Sequence, residues 1–355
     1  MLVATRLLIA ATALASSAAF VACGGSSEKP RPPQGPKPHQ TPFSNSQNLI
    51  ATGTDFVCVS KFGGTPACSG TFSAINVVQG RIDGPWPMTP PPGLKHVVQL
   101  EATSDLACAL MKGGEARCWG ERPGRVMSTQ GVALISRTGG LMYHCFVLKG
   151  GHIKCPNPND VPKWATMTEF SEISMGFPRS CGVSGHQLVS CWDLSAMREG
   201  KVDVPRGVLG TWTNSYAYGP GSGACVLLTS GKLRCQAKNA PLSSGFTDAP
   251  YGNHALARLG SGLMPVEGVG CAMTTEGLPK CWNHMGKETP VPKDVSGVTA
   301  IGAAGRTWEG IPDPTRVCTL LNGTTVRCWR GETGSPLAIP KADLKRFKRT
   351  LTGDG

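Results

Sequence analysis

The chain has 355 residues and a formal net charge of +12, with 6% aromatic residues, 16% charged residues and fifteen cysteines. Aromatic residues do not interleave with the basic ones, which argues against a single-strand-binding groove and predicts no specific nucleic-acid partner. After residue 23 no segment has a sustained 3.6-residue apolar period, so the pattern favours an all-β protein.

The N-terminus predicts export and a lipid anchor. Residues 1–22 combine Arg6 with an apolar run, as a signal peptide does, and Cys23 follows directly, as in a bacterial lipoprotein. We therefore expect Cys23 to be lipidated and to hold the protein at a membrane of the bacterial cell envelope, at the outer membrane or in the periplasm. An ordinary cleaved secretory signal and a retained membrane helix are the alternatives. The helix is disfavoured because the apolar run is short and rich in Ala and Ser.

Residues 23–47 predict a disordered spacer. The segment begins with Gly24-Gly25-Ser26-Ser27 and then carries five prolines within nine positions, Pro30, Pro32, Pro33, Pro36 and Pro38. A sequence of this kind buries no core and behaves as a semi-stiff linker.

Fourteen cysteines form seven pairs, and every pair has nine intervening residues. The pairs are Cys58 with Cys68, Cys108 with Cys118, Cys145 with Cys155, Cys181 with Cys191, Cys225 with Cys235, Cys271 with Cys281 and Cys318 with Cys328. When each segment is folded as a hairpin about a three-residue loop, the two cysteines oppose each other at the separation that a disulfide needs. Five units have glycine at the third loop position, where a left-handed residue is expected: Gly64, Gly114, Gly151, Gly231 and Gly277. Zinc is the competing interpretation, but zinc sites favour shorter spacings, and no metal or other cofactor is expected.

The repeat length predicts a propeller. Successive first cysteines lie 50, 37, 36, 44, 46 and 47 residues apart, which suits four short strands with their turns. The sequence therefore predicts a seven-bladed β-propeller over residues 48–350, with one disulfide in the hairpin of each blade and a short tail at 351–355. The segment Pro340–Phe347 parallels Pro292–Thr299, which precedes and enters a strand, so we expect it to complete the first blade beside Leu49.

Two units carry a recognisable motif. The second has Ala107-Cys108-Ala109-Leu110 followed by Cys118-Trp119-Gly120, and the seventh has Val317-Cys318-Thr319-Leu320 followed by Cys328-Trp329. This pattern resembles the repeat of the regulator-of-chromosome-condensation family, in a secreted or lipoprotein member from bacteria. The resemblance implies a seven-bladed propeller that binds another macromolecule through its surfaces, without choosing the ligand. The family's Gly-Gln-Leu-Gly segment is absent, and a nuclear role conflicts with the export signal.

The charge admits two interpretations. A basic residue precedes the second cysteine in five units: Arg117, Lys154, Arg234, Lys280 and Arg327. These residues either attract an anionic polymer or form a solvated strand face that keeps the protein soluble. The second interpretation is favoured.

The tryptophans fall into two groups. Trp119, Trp192, Trp282 and Trp329 follow second cysteines, and packing between blades is favoured over sugar-binding subsites. Trp212, Tyr216, Tyr218 and Trp308 lie in connecting segments and are the candidate binding residues, with buried loop anchors as the alternative.

No catalytic motif emerges. His144 stands beside Cys145, and His152 lies just past the turn of the same hairpin. Asp55, Asp105 and Glu267 precede cysteine strands, but the spacing of these residues alone assigns no acid–base role. We therefore predict a monomeric macromolecule-binding propeller, a protein–protein interaction module whose partner is an unknown protein or anionic polymer. An extracellular hydrolase or lyase acting on polysaccharide is the alternative, and a purely structural envelope component is a third possibility.

Overall fold

The computed structural model describes most of the chain from Leu49 onward. The described residues are 49–76, 81–120, 124–139, 144–166, 168–176, 179–184, 188–193, 198–202, 208–213, 222–237, 247–248, 256–259, 269–283, 287–305, 307–308, 311–312 and 315–353. The predicted signal peptide, Cys23 and the linker lie outside these residues.

Short antiparallel strands build the first three blades, and in each blade the strands follow one another as a meander. Blade 1 contains β1 (Leu49–Thr52), β2 (Phe56–Ser60), β3 (Ala67–Asn76) and β4 (Arg81–Pro87). Blade 2 contains β5 (Val97–Ala102), β6 (Leu106–Met111), β7 (Ala116–Gly120) and β8 (Val126–Thr129). Blade 3 has three strands among the described residues, β9 (Val132–Ile135), β11 (Phe146–Leu148) and β12 (Ile153–Lys154), and a 3-10 turn (Pro158–Asp160) and helix α1 (Lys163–Thr166) follow them.

The remaining four blades repeat the plan. Blade 4 contains β13 (Phe170–Gly176), β14 (Arg179–Ser184), β15 (Val189–Asp193) and β16 (Arg198–Val202), and β10 (Arg137–Gly139) adds to it in parallel. Blade 5 contains β17 (Val208–Thr213), β18 (Ser222–Leu228), β19 (Leu233–Ala237) and β20 (Thr247–Asp248). Blade 6 contains β21 (Leu256–Leu259), β22 (Val269–Thr274) and β23 (Pro279–Asn283) in the described part. Blade 7 contains β24 (Val298–Ala304), β27 (Arg316–Leu321), β28 (Thr325–Arg330) and β29 (Pro336–Leu337), with a small ribbon of β25 (Thr307–Trp308) and β26 (Ile311–Pro312) between its first two strands.

Every predicted disulfide is present, and each one lies within the central hairpin of its own blade. In blade order, the bonded pairs are Cys58 with Cys68, Cys108 with Cys118, Cys145 with Cys155, Cys181 with Cys191, Cys225 with Cys235, Cys271 with Cys281 and Cys318 with Cys328. Their Cα–Cα distances are 4.0–4.3 Å. Such short separations are typical of directly opposed, non-hydrogen-bonded positions of an antiparallel ladder. The cysteine spacing therefore fixes the register of each central hairpin.

Seven clusters of buried side chains join each blade to the next and close the ring. The cluster between blades 1 and 2 contains Phe56 and Leu100, and the last one joins Val57 of blade 1 to Leu320 of blade 7. A polar contact reinforces this closure, because the half-buried Arg316 of blade 7 donates from Nε to the Thr54 carbonyl of blade 1 at 3.0 Å. The all-β, seven-bladed propeller is confirmed by this ring.

The C-terminal segment is a helix, so the prediction that it completes the first blade beside Leu49 is wrong. Helix α2 (Lys341–Thr352) begins after Pro340 and ends at Gly353, which is left-handed with φ 83°. Its buried residues Phe347 and Leu351 pack one turn apart into the cluster between blades 7 and 1. In the segment that it parallels, Gly297 (φ 66°) supplies a left-handed turn before β24, and no glycine stands at the corresponding place in α2. The chain therefore continues as a helix.

The loop glycines follow the prediction with one exception. Gly114, Gly151, Gly231 and Gly277 have φ between 75° and 88°, the left-handed region expected of the third loop residue. In the first hairpin the left-handed residue is Gly63 rather than Gly64. Pro66 has no backbone N–H, so the ladder of this hairpin ends at Val59–Ala67 and the loop is longer.

Candidate functional site

The tryptophans that follow second cysteines are core residues. Trp119, Trp192, Trp282 and Trp329 are at most 3% exposed. Each packs in the cluster that contains the disulfide of the preceding blade, so each fills the interface between two blades. The packing prediction is confirmed, and these residues form no sugar-binding surface.

The four predicted binding residues receive little support from the described part of the chain. Trp212 lies near the end of β17, where its backbone is paired with Cys225, and Trp308 lies in the β25–β26 ribbon. Trp212 is thus part of the first strand of blade 5, whereas Trp308 belongs to the connection between the first and second strands of blade 7. Tyr216 and Tyr218 lie outside the described residues, so the binding prediction for this group stays a prediction.

The basic residues that precede second cysteines are mostly ion-paired. Arg117 contacts Glu115 at 2.6 Å, Arg234 contacts Asp248 at 2.8 Å, Lys280 contacts Glu288 at 2.5 Å and Arg327 contacts Asp294 at 2.9 Å. Lys154, the fifth, is exposed on β12. Ion pairs this exposed contribute little stability. They neutralise the strand face, which agrees with the interpretation that this face is solvated and keeps the protein soluble.

Backbone hydrogen bonds link the hairpin loops of blades 1, 2 and 3 into a continuous edge of the ring. The N–H of Val97 donates to the Gly64 carbonyl at 3.0 Å, and the N–H of Val132 donates to the Gly114 carbonyl at 2.8 Å. Each bond joins the central hairpin loop of one blade to the first strand of the next. The loop backbones of three blades are therefore held in fixed relative places.

Exposed basic residues lie along this edge, and we call them the basic turn belt: Lys61, Lys95, His96, Lys112 and Lys149. Lys112 donates its N–H to the His96 carbonyl at 2.9 Å, and Lys149 Nζ donates to the Gly113 carbonyl at 3.3 Å. At the other end, Lys61 Nζ lies beside Gly353, so this ammonium faces the negative end of α2.

A shallow groove of about 630 Å³ opens in the middle of the belt. Gly93, Lys95, His96, Met111, Lys112, Gly113 and Glu115 line it. Gly93 and His96 have left-handed backbone, with φ of 81° and 55°, which turns the chain sharply between blades 1 and 2 and opens the groove.

Glu115 is the carboxylate of the groove, and it is already engaged. Arg117 holds it at 2.6 Å and the Ser128 hydroxyl donates to it at 3.0 Å. The hydrogen bond from Arg117 is the main reason that the pKa of Glu115 lies below its usual value. Because Arg117 neutralises Glu115, the lysines leave the groove with a net positive charge.

Sequence reasoning missed the belt, although a signal was present. Lys112 and Lys149 each stand directly before the Gly-Gly of a hairpin loop, and Lys61 stands two residues before Gly63-Gly64. Loops that occupy the same place in successive repeats meet at one face of a propeller, so lysines at that position gather in space.

The predicted acid–base candidates form no common site in the described residues. His144 is fully buried, whereas His152 is exposed. Asp55 is exposed, Asp105 Oδ1 accepts from the Ser73 N–H at 3.4 Å, and Glu267 lies outside the described residues. In the part that the structure describes, no group of three His, Cys, Asp or Glu residues is placed to hold a metal ion. The helices of the same residues include none with the length and apolar character of a membrane span.

Comparison with known proteins reveals remote likeness only. No protein-family model matches the chain, and no curated protein matches it in sequence. Similar solved structures include the computationally designed Ika8 protein, with 13% identity, coverage of 83% of this chain and 87% of that chain, and a TM-score of 0.45. Prp20p from Saccharomyces cerevisiae has 11% identity, covers 84% of each chain and gives a TM-score of 0.47. The β-propeller domain of Cps50 (Swd1) from Myceliophteria thermophila has 10% identity, covers 80% of this chain and 97% of that one, and gives a TM-score of 0.47.

Proposed function

We propose that this chain is a macromolecule-binding propeller, a protein–protein interaction module that holds an acidic partner on the basic turn belt. The groove at blade 2 carries this proposal. It is bounded by Lys95 and Lys112, and backbone hydrogen bonds between the blades hold the loops that carry these lysines next to each other. Cationic side chains presented on a rigid edge attract anionic surfaces and accelerate encounter with them.

The place of action belongs to the same proposal. We take Cys23 as a lipid anchor and residues 24–47 as the spacer that separates the propeller from the envelope membrane. The seven disulfides support export, because such bonds form in oxidising compartments.

Crosslinking in the native envelope tests the proposal. The variant K95E/K112E reverses the charge of the groove, whereas K232E reverses an exposed lysine in the hairpin loop of blade 5, away from the groove. We expect the wild type and K232E to capture the same discrete acidic protein. The yield of this captured protein should fall at least about tenfold in K95E/K112E, because charges at the rim of an interface govern association rates. Equal capture by K95E/K112E, or recovery of random neighbours alone, contradicts the proposed function. The anchor is tested separately, because Cys23→Ala should release the protein from the membrane fraction without changing its disulfides.

A further inference from the structure

The disulfide of blade 3, Cys145–Cys155, has less support from its sheet than the other six disulfides have. In those six blades both cysteines lie inside strands of the central hairpin and are themselves a paired position of the ladder. The described ladder of blade 3 has two pairs and ends at Phe146 and Lys154. Cys145 therefore lies just before β11 and Cys155 just after β12, outside both strands.

The outer side of this hairpin is also different. In blades 2, 4, 5 and 7 the second cysteine is paired with a residue of the fourth strand, and in blade 6 the Cys281 carbonyl accepts from the Thr289 N–H at 2.9 Å. β12 is the outer strand of a sheet that has three strands in the described part of the chain. After Cys155 the chain continues through Pro156 into the 3-10 turn and α1, so no described strand pairs with Cys155 on this side.

Cys155 is the accessible side of the bond. It is half-buried, whereas the other thirteen bridged cysteines, Cys145 among them, are at most 5% exposed. Cys155 also lines a cavity of about 130 Å³ between blades 2 and 3. The exposed residues Lys154 and Pro156 line the same cavity, which places it at the surface of the ring.

We propose that Cys145–Cys155 is a modification site at which small anionic thiols exchange with the disulfide while the other six bonds stay intact. A thiolate attacks the sulfur of Cys155. A new disulfide forms between the incoming sulfur and Cys155, the electron pair of the broken bond leaves on Cys145, and that thiolate takes up a proton from water. A second thiol that attacks the mixed disulfide releases Cys155, so two thiols are oxidised to one disulfide as the protein bond is reduced.

Two properties of the hairpin favour exchange here. A bond that lies beyond the end of a short ladder is released by local opening, whereas a bond inside a longer ladder needs the strands around it to separate. Lys154 supplies the second property, because it is exposed, directly precedes Cys155 and has no ion pair among the described residues. Its counterparts in four other blades are each paired with a carboxylate. An unpaired ammonium attracts anionic thiols and favours the thiolate form. The site does not depend on the basic turn belt.

Limited reaction of the full, disulfide-bonded chain with reduced glutathione, an anionic thiol, tests the site. The reaction is stopped with acid, free thiols are alkylated, and the peptides are mapped by mass. We expect the glutathione adduct on Cys155 and the alkylated thiol on Cys145, formed at least about tenfold faster than the products of any other bond, because local opening costs less than opening a blade. This map is made on the wild type and so does not depend on the folding of a variant.

The role of Lys154 is tested by charge reversal. Lys154→Glu should slow the reaction with glutathione by about threefold more than the reaction with 2-mercaptoethanol, which lacks carboxylates. Lys280→Glu reverses the equivalent lysine of blade 6 and should leave the ratio of the two rates at Cys155 unchanged. First reaction at another disulfide, release of several bonds together, an adduct on Cys145 instead of Cys155, or equal effects of the two variants would overturn the proposal.

Discussion

Arg179 of blade 4 and Gln236 of blade 5 form a buried hydrogen bond of 2.7 Å across the interface that they share. Gln236 is 1% exposed and occupies the place that a tryptophan has in four other interfaces. Burial lowers the pKa of Arg179 and the nearby Asp193 opposes this shift, so the guanidinium is a charge held with little water around it.

Gln236→Ala should therefore destabilise the protein by more than the loss of side-chain volume alone would. We expect a loss of about 2 kcal/mol in the free energy of unfolding, because a buried charge loses an acceptor. Urea unfolding of the single variants Gln236→Ala and Arg179→Met and of the double variant measures the coupling. A double variant whose loss equals the sum of the single losses would show that the pair does not act as a unit.

Trp329 should be among the most costly residues to truncate. It is 0% exposed and packs on the disulfide of blade 6. We expect Trp329→Ala to lower the free energy of unfolding by about 3–5 kcal/mol, as the removal of a buried aromatic does. Trp86 is only partly buried, so Trp86→Ala is the matched control and should cost less. Equal losses in the two variants would contradict the packing role of Trp329 between blades.

Helix α2 should stabilise ring closure through its buried face. Phe347 is 1% exposed against blades 7 and 1, whereas Leu344 of the same helix is 38% exposed. We expect Phe347→Ala to lower the free energy of unfolding by about 3–4 kcal/mol and Leu344→Ala to change it by about 0.5 kcal/mol or less. Thermal unfolding of both variants gives the comparison, and a similar shift in each would place α2 outside the closure.

Gly120 should tolerate no side chain. Its φ is 105°, and a Cβ there would overlap the Asp105 carbonyl oxygen. The loop residue Gly113 has no described atom within 4 Å of its Cβ position. Gly120→Ala should cost at least about 2 kcal/mol, whereas Gly113→Ala should be close to neutral, because only the first requires both backbone strain and movement. Chemical unfolding distinguishes the two, and a neutral Gly120→Ala would refute the close approach.

His144 should make stability depend on pH. Burial lowers its pKa from 6.5 to about 4, so between these values the unfolded chain binds more protons than the folded protein. The contribution is therefore complete above pH 6.5 and is lost as the pH falls toward 4, by about 3 kcal/mol at most. Unfolding curves of the wild type and of His144→Phe between pH 7 and 4 should diverge in slope. Parallel curves would mean that His144 is not buried as a neutral group.

The regular features of the fold were predictable because each rests on local chemistry. Cysteines ten residues apart define a hairpin and its register, and alternation places Trp329 on the opposite strand face from Cys328. Helix α2 was missed because Phe347 and Leu351 are its only buried residues, which is too short a pattern to reveal a period.

The surface features were not predictable, because each depends on residues from different blades. The basic turn belt was missed because Lys61 and Lys149 are distant in sequence and come to the same edge only through the closed ring. The third unit has Pro156 where four other units have a tryptophan, and the cavity of about 130 Å³ beside it is also lined by Met127 of the neighbouring blade.

Crosslinking from the two ends of blade 2 tests the proposed function most directly. A photoreactive amino acid at Lys112 lies in the groove, and one at Arg125 lies in the loop that joins β7 to β8, at the opposite end of the same blade. In the native envelope, we expect one discrete acidic protein to be captured from position 112 and not from position 125, with capture lost in the K95E background. Capture of the same protein from both ends, or from position 125 alone, would contradict binding through the basic turn belt.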